Sequence, residues 1–200
     1  MAHMVSGTKV VPARHLPGEE GIWVFVGGDL VVFSLFFILF LYYRAQDVVL
    51  FERSQHELIR GLGLLNTIIL LTSSLFVALA VASARQGLHA RAATLLLGGV
   101  ASGVAFGISK AVEYADKFAH GITLQTNNFF MFYFMLTGIH MVHVIVATGL
   151  LIYLWQTTRA ATHAVTPGPN YISTLEAGAI FWHLVDLLWV VLFALLYLLP

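Results

Sequence analysis

The chain has no cysteine and very little charge. Without thiols there can be no disulfide, no thiolate metal site and no cysteine nucleophile, and cysteine usage says nothing about redox compartment. Only 10% of its 200 residues are charged, against about 25% in an ordinary soluble domain. Formal net charge is zero, which leaves no basic surface for nucleic acid and no acidic tail for a cationic partner. Internal repeats and low-complexity segments are absent as well. What is there is apolar: 59% hydrophobic residues and a mean hydropathy of +0.86. The class is an all-α integral membrane protein.

Residues 1–20 are polar, interrupted by Pro12 and Pro17, and read as a loosely ordered tail. Glu19 and Glu20 suit the positive end of the helix that follows. The first apolar run is too long for a signal-peptide core and has no small-residue cleavage site, so it reads as a spanning helix that also directs insertion. Apolar runs predict five spans, over about 21–43, 62–82, 92–114, 128–155 and 176–199, in a single domain covering 21–200. Between the first two, Arg44 to Arg60 reads as a mixed-charge loop with no periodic core. Pro167, Gly168 and Pro169 stop the fourth helix in the longer loop 156–174. An odd number of spans puts the termini on opposite sides. Lys9, Arg14, Arg85, Arg91 and Arg159 on the N-terminal side outnumber Arg44, Arg53, Arg60 and Lys117 on the other, which favours a cytoplasmic N terminus.

Polar residues inside these runs are the candidates for function. His140 and His143 lie three apart in the fourth span, so they share a helix face, and Gly138 thins the wall beside them. His183 and Asp186 repeat that spacing in the fifth span and are the best candidates to face them. Asp29 is an isolated acid near the midplane with no basic residue on its own span, and intramembrane ionisable groups mark sites. At about 1.5 Å per residue, Asp29, Asp186 and His143 share one layer, whereas Glu113 and His140 lie nearer the far side. A polar interior of Glu113, His140, His143, His183 and Asp186 is therefore geometrically allowed. Lys110 and Glu113 can pair across one helical turn, and spacing favours a snorkelling lysine beside an interfacial glutamate. Asn66, Thr67, Thr72, Ser73 and Ser74 in the second span read as close-packing residues. Trp23, Trp182 and Trp189 read as core or interface anchors.

Phe181 to Trp189, Thr137 to Val144, Phe106 to Tyr114 and Leu65 to Ser74 together resemble the signature segments of subunit III of haem-copper oxidases, over about Gly21 to Leu199. The five-helix form is similar to bacterial quinol oxidase subunits and especially to subunit-III-like proteins associated with nitric oxide reductase. The resemblance implies an accessory subunit with no catalytic, cofactor or metal site of its own. It would sit beside a catalytic membrane subunit that carries haem with copper or non-haem iron, in the bacterial inner membrane. It also implies bound phospholipid, stabilisation of the partner during turnover, and support of proton uptake. Asp29 falls where the family has a buried, carbodiimide-reactive glutamate; aspartate keeps the acid and shortens its reach. Lys110 stands where the oxidase pattern usually has glutamine, a departure that leans toward the nitric oxide reductase branch. Three other readings stay open, one of them a small transporter, for which Gly27-Gly28 beside Asp29 hints at a broken helix at the midplane. His140, His143 and His183, with Asp186 and Glu113, have the donor chemistry of an intramembrane metal site. Histidines on separate helices are also how a haem b anchor subunit holds its haem, with His143 and His183 the approximate pair by depth.

Overall fold

The computed structural model describes residues 20–162, 168 and 170–199. The polar tail, most of which precedes Glu20, lies outside them. The described residues are helical, with no strand, and five helices are long and apolar enough to cross a membrane. They are α1 (Glu20–Gln46), α3 (Arg60–Arg85), α4 (His89–Ala119), α5 (Asn128–Ala161) and α6 (Tyr171–Phe193). The first four run past the apolar stretches that predict them, because helical hydrogen bonding continues into the polar flanks while hydropathy does not; α6 starts earlier than predicted and gives way to a π-helical turn before the predicted end. Glu176, expected to open the last span, instead sits in the second turn of α6, where Arg85 at the end of α3 holds it at 2.8 Å.

The segment expected to be an unstructured loop contains a short helix, α2 (Val48–Gln55). Asp47 caps it by accepting from the Leu50 N–H. Phe51, Ser54 and Gln55 of the helix, with Leu58 just past its end, make one buried face. Two of the four are polar, which is why the periodicity does not show in a hydropathy profile.

Helices α3 and α4 form the most extensive pair, joined by a turn in which Gly87 takes φ +76°, the left-handed region glycine favours. Small residues set the helix separations. A Cβ on Gly99 would meet Val77 at 3.1 Å, and one on Gly103 would meet Trp182 at 2.9 Å. Gly138 does not act this way: a Cβ there meets nothing, so the expected thinning of the wall beside the histidines is absent. Helix α6 is the centre of the bundle, with Trp182, Val185, Leu188, Trp189 and Leu192 almost fully buried. It ends in a π-helical turn, Ala194–Leu198, closed by the Leu199 N–H on the Ala194 carbonyl. Helix α1 is peripheral, packs on α5, α6 and α2, and fully buries Phe33 and Phe40.

Candidate functional site

The bundle sorts its polar side chains into separate sites. The largest is built around Lys110, whose ammonium is 1% exposed and lies 2.8 Å from the Glu113 carboxylate. Helical spacing brings the two together; α5 and α6 supply the rest. The ammonium also donates to the hydroxyls of Tyr133 at 3.1 Å and Tyr197 at 3.3 Å, and Tyr197 donates to the other Glu113 oxygen at 2.7 Å. Rings of Tyr133 and Trp189 stand 4.9 and 5.3 Å from the charge. The π-helical turn changes the angular step along the chain end and sets Tyr197 facing inward, fully buried. A snorkelling lysine is therefore the wrong reading. Lys110 points into the bundle, because a paired carboxylate, two hydroxyls and aromatic faces replace the water it would otherwise seek.

His140 is beside this cluster but does not join it. Its ring is 0% exposed, stacked on Trp189 at 5.4 Å and edge-on to Phe106 at 5.7 Å. Neither ring nitrogen has a hydrogen-bond partner among the described residues. Trp189 is held in turn by donating to Thr67, which bonds the Gly63 carbonyl.

His143 turns the other way, toward α1. Its Nδ1 is 2.9 Å from the Ile139 carbonyl and so carries the proton, since a carbonyl can only accept. Its Nε2 is 3.4 Å from the Asp29 carboxylate, with both side chains 18% exposed. Two bare acceptors repel, so the pair is attractive only when it holds a further proton. Asp29 has no basic residue on its own span, and the imidazole it meets comes from another helix, which sequence spacing cannot show.

His183 and Asp186 form a third site rather than the face opposite the two histidines. His183 Nδ1 is 2.7 Å from the Ser74 hydroxyl, and the buried Asp186 carboxylate lies beside Ser74 and 4.0 Å from His183. The single polar interior of Glu113, His140, His143, His183 and Asp186 is therefore divided. Crowding by Phe106, Trp189 and Phe181 separates residues that a depth count places together. Among the described residues no three His, Asp or Glu side chains gather closely enough to hold a metal. His143 and His183 are engaged with different partners, so they do not offer a haem two facing imidazoles.

The main components that sequence reasoning misses are Tyr133 and Tyr197. A signal for them exists, since a tyrosine set in an apolar run such as Leu195-Leu196-Tyr197-Leu198 needs a partner for its hydroxyl. Trp182 and Trp189 are core residues, and Trp23 is 42% exposed near the start of α1.

Comparison with known proteins places this architecture. The family model described as cytochrome c oxidase subunit III matches residues 16–199. A quinol oxidase subunit 3 of Bacillus subtilis is 30% identical over 89% of the chain and 85% of its own length. A cytochrome c oxidase subunit 3 of Corynebacterium diphtheriae is 28% identical over 88% of the chain and 85% of its own length. A heme-copper oxidase subunit I+III of Aeropyrum pernix is 26% identical over 95% of this chain, which spans only 25% of that protein. With a family model matched along nearly its whole length, this multi-pass membrane chain belongs to the cytochrome c oxidase subunit III family of the haem-copper oxidases.

Proposed function

We propose that the chain is a non-catalytic accessory subunit that docks on a large haem-bearing membrane subunit, of the terminal oxidase or nitric oxide reductase type. Haem, with copper or non-haem iron, belongs to that partner and supplies the redox chemistry. This chain stabilises the partner during turnover, holds phospholipid against its helices, and supports proton uptake through Asp29. The complex sits in the bacterial inner membrane with the N terminus of this chain in the cytoplasm.

The family match over residues 16–199 carries the reading. Three further observations agree with it. The deepest charges, Lys110 and Glu113, are consumed inside the bundle, which leaves the surface to do the work. The Aeropyrum pernix relative bears a name that joins subunits I and III, which fits a partner of the subunit I kind. Helix α1 presents Val24, Val31, Leu35 and Ile38 outward, each more than half exposed, on the helix that carries Asp29. The departure at Lys110 is what favours the nitric oxide reductase branch.

The test is affinity purification of the tagged chain from native membranes in mild detergent, with optical spectra and metal analysis of what accompanies it. Haem arriving with a large subunit is the expected result, and copper against non-haem iron then separates the two branches. Stoichiometric haem or metal on this chain alone would overturn the proposal.

A further inference from the structure

Beyond its first turns, the outward side of α6 is apolar except at His183. This residue lies near the middle of the 28-residue span Tyr171–Leu198, and its side chain is 40% exposed. Leu187 and Val190 of α6 stand exposed on the same side. Across the contact with α3, Leu71 and Ala78 are exposed one turn either side of Ser74, whose hydroxyl is 2.7 Å from His183 Nδ1. Two helices thus share an apolar outer face with one polar side chain at its centre. Lipid tails offer that side chain no hydrogen bond, and ionisable groups at this depth face protein or water.

The network behind His183 sets what it offers. Asp186 is buried, lies beside the Ser74 hydroxyl, and has His183, at 4.0 Å, as its one basic neighbour among the described residues. A carboxylate in mid-membrane has to be neutralised, so the pair holds one further proton. With that proton on the ring, both ring nitrogens carry hydrogen and Nδ1 donates to Ser74. With it on the carboxyl group, Asp186 donates to Ser74, Ser74 donates to Nδ1, and the ring hydrogen is on Nε2. Either way Nε2 is a donor, and it has no partner among the described residues. We propose that the α3–α6 face around His183 docks a transmembrane helix of another subunit, which presents a side-chain oxygen acceptor to Nε2. A second copy of this chain does not fit, because a twofold axis would set two N–H donors against each other. The inference rests on the reading of this chain as an accessory subunit, and adds to it a contact face and the chemistry of the contact.

A photo-crosslinker at position 187 of the full-length chain, activated in native membranes before the complex is purified, tests the face. The expected product joins this chain to a transmembrane segment of another subunit that has a side-chain oxygen within one turn of the captured residue. Retention of that subunit through detergent washing falls about threefold to tenfold in His183→Phe, as for one lost interhelical hydrogen bond, and His183→Gln, which keeps an N–H donor, recovers most of it. Because His183→Phe also takes a neighbour from Asp186, Leu187→Trp serves as the variant that leaves the network intact. It lowers retention while the chain alone keeps its wild-type melting temperature, since Leu187 is exposed. Capture of lipid alone, of a second copy of this chain, or of a segment without an acceptor overturns the proposal, as does wild-type retention in both Leu187→Trp and His183→Phe. In those cases a haem-bearing subunit that still accompanies the wild-type chain leaves the accessory reading standing. Absence of any accompanying subunit overturns both.

Discussion

Lys110 with Glu113 and Asp29 with His143 are two pairs within the membrane-spanning part of this protein, and their surroundings differ. Lys110 and Glu113 belong to one helix, are 1% and 0% exposed, and are surrounded by donors and aromatic faces. Asp29 and His143 join two helices across a looser 3.4 Å contact, each 18% exposed, at the edge where α1 meets the bundle. The first pair is sealed, with almost no surface left to solvent. The second stands in a seam beside an outward apolar surface. On the proposed function, burial alone does not mark a working site: the more buried pair would specify packing, and the less buried one would serve the complex.

Breaking the sealed pair is the largest perturbation. Lys110→Met leaves Glu113 as a buried, uncompensated carboxylate and is expected to cost about 3–5 kcal/mol, read as a lower melting temperature in detergent. Lys110→Met with Glu113→Leu recovers most of that loss, because an apolar pair needs no counter-charge. Continued instability of the double variant would mean that the pair itself, and not merely its balance, holds the fold.

Glycine substitutions compare the two regions through packing. A Cβ on Gly178 would collide with Leu154 in the core, whereas one on Gly28 of α1 meets nothing. Gly178→Ala is expected to destabilise by about 1–3 kcal/mol. Gly28→Ala is neutral or stabilising by up to about 1 kcal/mol, since alanine suits a helix better than glycine. Equal effects in thermal melts would show that α1 is packed as tightly as the core.

Smaller effects are expected at the seam and the surface. Asp29→Asn keeps the shape and removes the charge in a partly exposed pair, so stability changes by less than about 1 kcal/mol while proton-linked behaviour of the complex changes. Arg85→Ala removes the pair with Glu176, in which the arginine is 56% exposed, and costs about 0–1 kcal/mol. High salt reduces that cost further, a dependence measurable in melts at two ionic strengths.

Much of this was legible in the residues. Five apolar runs predict five spanning helices, and four separate motifs in order point to the family. The partners were not legible. His140 and His143 share a face by spacing, yet one meets Trp189 on α6 and the other Asp29 on α1, because α5 is in contact with both helices and three residues span about 60° of arc. Lys110 reads as interfacial because its two tyrosines lie 23 and 87 residues away in sequence. Helix α2 stayed hidden because half of its buried face is polar.

If the sealed pair supports the fold and the seam pair serves the complex, the decisive experiment follows oxygen or nitric oxide consumption of the purified complex through continuous turnover, with Asp29→Ala in this subunit. Normal assembly and haem content, a normal melting temperature and faster inactivation than wild type are expected. Wild-type inactivation kinetics in a fully assembled variant would remove Asp29 from any role in turnover.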